Sequence, residues 1–194
     1  NISVSGASGD AGLTLITSRE VSLVNVTAEN NSGSGAHIEA SDVAIDTGSF
    51  SNNGAGGLDV TSQSAIALFG VTANTNQQFG ANLFAGDQVS IAQSNFNDNG
   101  GYGLSVVTTS LIALEDVNAN NNALYGAYLE GDDTVVNTSF FTANGSLGAV
   151  SEPVGYGLKV VSTGTVNLTN INAADSVGNQ LFGADITAAE NVNI

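Results

Sequence analysis

The sequence contains no cysteine, no methionine and no tryptophan, and it has a single proline among 194 residues. Without cysteine there can be no disulfide bond and no thiolate ligand for a soft metal. Cations are nearly absent as well, since Arg19 and Lys159 stand against 18 acidic residues and the formal net charge is −16. Such a chain repels phosphate backbones, so we expect no nucleic-acid partner. No run of ~18 apolar residues occurs, so we expect no membrane insertion.

Glycine and small apolar residues are abundant, and the glycines recur at a nearly fixed spacing. Hydrophobic residues make up 42% of the chain and 24 residues are glycine. A glycine that opens an alternating apolar segment is found at Gly12, Gly35, Gly57, Gly80, Gly103, Gly126, Gly157 and Gly183. A period of this size is typical of a repeat architecture.

Each repeat follows one template of apolar and small residues. In the repeat opened by Gly103, the template positions are occupied by Leu104, Val106, Thr108, Ile112 and Leu114. A further apolar segment then begins with a larger residue, which is successively Val26, Phe50, Val71, Phe96, Val117, Phe141 and Ile171. The period-two alternation predicts three short strands per repeat with these residues inside.

Repeats of roughly 22–23 residues cannot enclose a core alone, but coils stacked ~4.8 Å apart bury a continuous interior. The sequence therefore predicts an all-β protein, a parallel β-helix of about 8 coils, with residues 1–194 as one domain. Ile2 with Val4, and Val192 with Ile194, occupy mid-coil positions. We therefore expect an excised or processed segment of a longer array, whose partners are further coils or copies of itself.

Two columns of special side chains are predicted at the corners of the coils. Asparagines three positions after the large apolar residue predict a structural ladder of Asn53, Asn74, Asn99, Asn120 and Asn144. Asparagine suits this place because it tolerates the left-handed conformation and its amide both donates and accepts. Residues before the opening glycines predict an aromatic ladder of Phe79, Tyr102, Tyr125, Tyr156 and Phe182. Packing is the favoured role for these rings, and a sugar-stacking platform is the alternative.

The segments FNDNGGYGLSVV, VNANNNALYGAYL and FSNNGAGGLDV resemble the repeats of right-handed parallel β-helix proteins of the pectate-lyase-like superfamily. The resemblance extends over essentially the whole chain and implies a right-handed helix. It does not specify an activity, because that superfamily includes polysaccharide lyases, hydrolases, epimerases, phage tailspikes and non-catalytic surface proteins. In its enzymes, the outer face of the first strand often holds the active site.

Outward positions on the first strand supply two candidate catalytic clusters. They are His37 with Glu39 and Asp59, and Tyr128 with Glu130 and Lys159. The first cluster permits a paired-carboxylate hydrolase or a weak cation site, and the second a proton-transfer set. Ion pairing between solvated side chains, for example Lys159 with Asp185, is the favoured reading of both.

A lyase mechanism meets a specific difficulty in this composition. Proton abstraction beside a uronate requires the carboxylate to be neutralised by basic residues or calcium, and only two basic side chains exist. Asp87, Asp132 and Asp133 in turns could help bind calcium, but they lack the spacing of a dedicated loop. We therefore predict no metal site and no cofactor, with calcium as the one alternative.

Other outward faces are polar or small. On the second strand, a column of small residues flanked by Val24, Phe69 and Leu111 invites packing against another chain or domain. The third strand presents a mixed Ser, Thr and Asn face that includes Thr72, and Thr142 follows the same pattern. Extra segments at Gly145–Gly155 and Ser176–Leu181 lengthen two coils at the same corner.

These observations favour a non-catalytic segment of an extracellular or cell-surface protein, bacterial in origin, that serves as a stalk, adhesin or filament element. The alternative is a carbohydrate-active β-helix enzyme, either a polysaccharide lyase, a hydrolase or an epimerase. A third reading is a glycan- or ice-binding surface without turnover.

Overall fold

The computed structural model describes residues 2–145, 155–173 and 182–194, and all regular secondary structure in those residues is β. The described strands form two parallel sheets. Of the two predicted extra segments, residues 146–154 of the first and all of the second, 176–181, lie outside the described residues.

The chain alternates between the two sheets. Sheet A has the order β1-β3-β5-β7-β9-β11-β13-β15-β17 and sheet B has the order β16-β14-β12-β10-β8-β6-β4-β2. The strands of sheet A are β1 (Ile2–Ser5), β3 (Val21–Glu29), β5 (Val43–Ser49), β7 (Ile66–Thr72), β9 (Val89–Asn95), β11 (Ile112–Asn118), β13 (Thr134–Asn137), β15 (Val166–Thr169) and β17 (Val192–Asn193). The strands of sheet B are β2 (Ala11–Ile16), β4 (Ser34–Ala40), β6 (Leu58–Ser62), β8 (Ala81–Ala85), β10 (Leu104–Thr108), β12 (Ala127–Gly131), β14 (Tyr156–Ser162) and β16 (Phe182–Ala188).

Each circuit through both sheets makes one coil, and equivalent residues of successive coils lie side by side. Leu104, for example, pairs with Ala81 on one side and with Ala127 on the other. The buried hydrophobic side chains of all these coils form one continuous cluster. The prediction of an all-β solenoid of about 8 parallel coils is therefore confirmed.

The three segments predicted per coil are present, but the second and third are arms of one bent strand. In β3, β5, β7, β9 and β11 the strand passes through a residue with positive φ and continues. The residues at this bend form a column with φ between 47° and 63°: Asn25, Thr47, Gly70, Gln93, Asp116, Thr138 and Asn170. Asparagine, aspartate and glycine adopt this left-handed conformation readily, so the bend is encoded in most coils.

Beyond the bend, the core alternates between two kinds of coil. The first inward column contains Val26, Gly48, Val71, Ser94, Val117 and Ser139, and the second contains Ala28, Phe50, Ala73, Phe96, Ala119 and Phe141. A coil with valine in the first column has alanine in the second, and a coil with glycine or serine has phenylalanine. The large ring in one coil therefore lies between small residues of its neighbours, which keeps the interior at a uniform packing density.

The glycines that mark the repeat lie where the chain passes close to its neighbours. A Cβ on Gly57 would stand 2.6 Å from the carbonyl oxygens of Gly80 and Phe50 and 2.7 Å from Nδ2 of Asn76. Gly80, Gly103 and Gly126 have equivalent surroundings. The recurrence of glycine thus follows from close approach between coils.

Candidate functional site

A buried asparagine ladder runs through one corner of the helix. Its members are Asn31, Asn53, Asn76, Asn99, Asn122 and Asn144. The Oδ1 atom of Asn53 accepts hydrogen bonds from the backbone N–H of Asn31 at 3.0 Å and from its Nδ2 at 3.1 Å. Each later step repeats these two hydrogen bonds. The ladder therefore satisfies buried polar groups, whose burial without hydrogen-bond partners would cost free energy.

The composition of the ladder corrects the sequence-based assignment. Asn53, Asn99 and Asn144 belong to it, whereas Asn74 and Asn120 lie two residues before ladder positions. These two belong to a half-buried outer column, in which Asn97 donates its N–H to Oδ1 of Asn74 and Asn120 donates to Asn97.

The misassignment has a physical cause in the alternating core. The prediction located the asparagines by counting from the large apolar residue of each coil. That residue stands two positions later in a coil with a buried phenylalanine than in a coil with a buried valine. Asn31, Asn76 and Asn122 were therefore missed. Counting from the opening glycines, whose spacing follows the corner itself, would have found them.

The predicted aromatic residues form stacked neighbours along the edge of sheet B. The ring centroids of Phe79 and Tyr102 are 5.7 Å apart, those of Tyr125 and Tyr156 are 5.4 Å apart, and those of Tyr156 and Phe182 are 5.6 Å apart. Interplanar angles of 11° to 21° make these offset stacks. Since stacked rings cover each other's faces, this arrangement favours packing between coils over a sugar platform.

The first candidate cluster is assembled across neighbouring strands of sheet B. His37 lies beside Asp59 in the register of β4 with β6. Its Nδ1 is 3.0 Å from Oδ2 of Asp59, and its Nε2 is 3.2 Å from Oε1 of Glu39. Asn82 donates to the other oxygen of Asp59 at 3.0 Å. The imidazole therefore bridges the two carboxylates.

The electrostatics of this cluster favour a protonated histidine. Burial lowers the pKa of His37, but the hydrogen bonds to Asp59 and Glu39 and the charges of both carboxylates outweigh burial, so that the pKa is raised. Both ring nitrogens face acceptors, which suits the imidazolium form. The cluster thus behaves as a small ion-paired network that joins adjacent coils.

The second candidate cluster divides into two pairs. Tyr128 donates to Oε2 of Glu130 at 2.6 Å, and this hydrogen bond, with burial and the carboxylate charge, raises the pKa of Tyr128 to about 12. Lys159 lies 3.0 Å from Oδ2 of Asp185 and 4.8 Å from the ring centroid of Tyr156. The hydrogen bond to Asp185 raises the pKa of Lys159. Both groups hold their protons at neutral pH, whereas a general base needs a pKa near the working pH.

The acidic turn residues make hydrogen bonds with their neighbours. Asp132 accepts from the hydroxyl of Thr163 at 2.9 Å, and Asp133 accepts from the N–H of Thr165 at 2.8 Å. Among the residues that the structure describes, no three His, Asp or Glu side chains are grouped so that they could hold a metal ion. The same part of the chain contains no helix long and apolar enough to cross a membrane.

A shallow trough of about 440 Å³ lies on the outer face of sheet A. Its floor is the predicted column of small residues, Ser22, Ala44, Ala67, Ser90 and Ala113, which ends at Val135. One wall is formed by the column Asp46, Phe69, Ala92, Glu115 and Asn137. Phe69 is 48% exposed there and presents an aromatic side chain to the trough.

Comparison with known proteins gives a family but no individual relative. A family model described as the right-handed beta helix region matches residues 11–173. No curated protein matches this sequence, and no solved structure matches it. The family match agrees with the resemblance carried by the repeat segments and with the parallel coils of the structure.

Proposed function

This chain belongs to the right-handed β-helix family, and from that premise we propose that it is a non-catalytic structural segment of a bacterial extracellular or cell-surface protein. In this role it serves as a stalk, adhesin or filament element. Its partners are further coils of the same polypeptide or copies of the chain.

The observation that carries the proposal is the state of the titratable groups on the outer face of sheet B. His37, Tyr128 and Lys159 each bind a neighbouring carboxylate, and for Tyr128 and Lys159 the raised pKa lies further from neutral pH than the ordinary value. A catalytic acid–base pair requires environments that push two pKa values apart around the working pH. Here the acidic partners are used to hold protons on their neighbours, which supports a structural role.

The interior supports the same role. The buried ladder and the alternating phenylalanine coils join each coil to the next between Asn31 and Asn144. Eight coils at a spacing of ~4.8 Å give a rise of roughly 38 Å, built as a quasi-one-dimensional array. A protein of this kind is suited to hold other parts at a fixed separation.

A cleavage screen tests the proposal against the enzyme alternative. The purified chain is incubated with neutral and acidic polysaccharides, with and without calcium, and new reducing ends and unsaturated uronates are measured. We expect no release. Turnover that disappears in Asp59→Asn or Glu130→Gln would overturn the proposal in favour of a carbohydrate-active enzyme.

The location is tested separately by fractionating cells of the source organism and probing each fraction with an antibody to the chain. The proposal expects the chain in the surface or secreted fraction. Recovery in the cytoplasmic fraction alone would contradict the extracellular part of the proposal, whatever the result of the cleavage screen.

The third reading, glycan or ice binding on the polar face beyond the bend, receives less support. The Thr142 hydroxyl donates to Oδ1 of Asn120 at 2.9 Å, so this donor is engaged within the chain. Loss of affinity for a glycan or for ice on enlarging Thr72 or Thr142 would be the result that favours this reading.

A further inference from the structure

The outer face of sheet A combines a groove, an exposed aromatic side chain and carboxylates of defined spacing. Neighbouring coils place Asp46 beside Phe69, Phe69 beside Ala92, and Ala92 beside Glu115. Asp46 and Glu115 are exposed, and the hydroxyl of Thr47 donates to Asp46 at 3.0 Å. The floor beside this wall consists of alanine and serine side chains as far as Ala113 and ends at Val135, so over most of its length it lies below the wall.

The charge of this face decides between two classes of occupant. A second copy of the chain would bring its own acidic surface, at a net charge of −16, against Asp46 and Glu115. The basic side chains of the sequence are Arg19, Lys159 and His37, and none of them lines the trough. Like charges repel across a desolvated contact, whereas a cationic partner is attracted and steered to it.

The distance between the two carboxylates in the wall defines the conformation of a segment that could bind there. Three coil steps of ~4.8 Å separate Asp46 from Glu115 by about 14 Å, and an extended chain covers about 13.5 Å in four residues. Residues i, i+2 and i+4 of an extended segment point the same way. Cations at i and i+4 would therefore meet the two carboxylates, while the residue at i+2 would lie beside Phe69 and Ala92.

We propose that the trough on sheet A is a docking surface for an extended, cationic segment of a partner protein. The segment carries lysine or arginine at positions i and i+4 and an apolar side chain at i+2. It lies along the helix axis, across the strands. The proposal goes beyond the structural role above and does not depend on where in the cell or organism that role is performed.

Two peptides of identical composition test the proposal by NMR titration of the labelled chain at physiological salt. Thr-Lys-Thr-Leu-Thr-Lys-Thr has its lysines at i and i+4, and Thr-Lys-Thr-Leu-Lys-Thr-Thr has them at i and i+3, on opposite faces. We expect shift changes at Ala44, Ala67, Phe69 and Ala92 with the first peptide. We expect the second to bind about fivefold more weakly, since one exposed ion pair is lost.

Matched variants separate docking from general attraction. Glu115→Gln should weaken the first peptide about threefold to fivefold, and Ala67→Leu should abolish the shifts by filling the floor without changing charge. Asp98→Asn removes the same charge at an exposed corner whose left-handed φ of 59° asparagine tolerates, and should have little effect.

Several results would overturn the proposal. They are equal affinity of the two peptides, equal effects of Glu115→Gln and Asp98→Asn, shifts spread over the whole acidic surface, or no shifts with either peptide at millimolar concentration. Shifts at the trough caused by a neutral oligosaccharide, and by neither peptide, would assign the trough to a different class of ligand.

Discussion

The ring of Phe50 occupies the space that Gly48 leaves two residues before it. A Cβ on Gly48 would stand 2.6 Å from Cε2 of Phe50, well inside any real contact. In the following coil, Val71 and Ala73 fill the equivalent positions, and both are completely buried. Each coil therefore carries a matched pair of residues at these two positions. One coil combines Gly48 with Phe50, and the next combines Val71 with Ala73.

This pairing predicts a rescue in the double variant Gly48→Val with Phe50→Ala. Phe50→Ala alone should destabilise the chain by about 3–5 kcal/mol through the cavity it leaves, and Gly48→Val alone by about 1–3 kcal/mol through overpacking. The double variant recreates a Val–Ala coil, so its loss in urea-unfolding free energy should be smaller than the sum by more than about 1 kcal/mol. Strictly additive losses would show that the two positions do not share one space.

The two asparagine columns predict different costs for one substitution. Asn99→Ala would leave the N–H and the Nδ2 of Asn76 without their shared buried acceptor, at about 1–3 kcal/mol for each group. Asn120→Ala removes bonds in the half-buried outer column, and we expect a loss of about 1 kcal/mol. Urea unfolding of both variants checks this order. Equal losses would contradict the distinction between a buried ladder and an outer column.

Thr134 offers a stabilising substitution. It occupies an inward position of β13 at 0% exposure, and its Oγ1 is a buried side-chain atom without a hydrogen-bond partner among the described residues. The equivalent residues of the neighbouring coils are Ile112 and Val166. Thr134→Val keeps the shape and removes the buried hydroxyl, so we expect a gain of about 1–2 kcal/mol in thermal or urea unfolding. A loss of stability would mean that this hydroxyl is satisfied in solution.

The His37 cluster predicts a pH dependence of stability. Because the pKa of His37 in the folded chain lies above its ordinary value of 6.5, its contribution is fully present below about pH 6.5. It is lost as the pH rises through the folded-state pKa. The difference in unfolding free energy between the wild-type chain and His37→Gln should therefore be larger near pH 5.5 than near pH 8. It should stay below about 1 kcal/mol, because the pair is partly exposed.

His37 is the only histidine in the sequence, so an NMR titration reports its pKa without ambiguity. Asp59→Asn should lower that pKa, and Asp98→Asn, which makes the same charge change at a distant corner, should leave it nearly unchanged. An unshifted pKa in the wild-type chain would refute the ion-paired network.

Much of the fold could be predicted from the order of residue types. The opening glycines, the apolar residues at fixed offsets and the outward columns on the first strand correspond to observed registers, such as His37 with Asp59 and Tyr128 with Lys159. These features are local or periodic, and a repeat displays them many times. The side-chain pairing at the candidate site was harder to predict from the sequence. The sequence placed Tyr128, Glu130 and Lys159 together and offered an ion pair of Lys159 with Asp185, which the structure contains. That Tyr128 binds Glu130 separately from this ion pair depends on side-chain geometry.

The sequence by itself determined the period, the parallel stacking and the inward residues, because burial of an alternating pattern permits few other arrangements. Only the tertiary structure showed that the large apolar residue shifts by two positions relative to the buried ladder, because Phe50-type and Ala73-type coils alternate beyond the bend within sheet A. The tertiary structure likewise decided that Phe69, Asp46 and Glu115 form the wall of one trough. These residues belong to different coils, and their common face exists only after the coils have stacked.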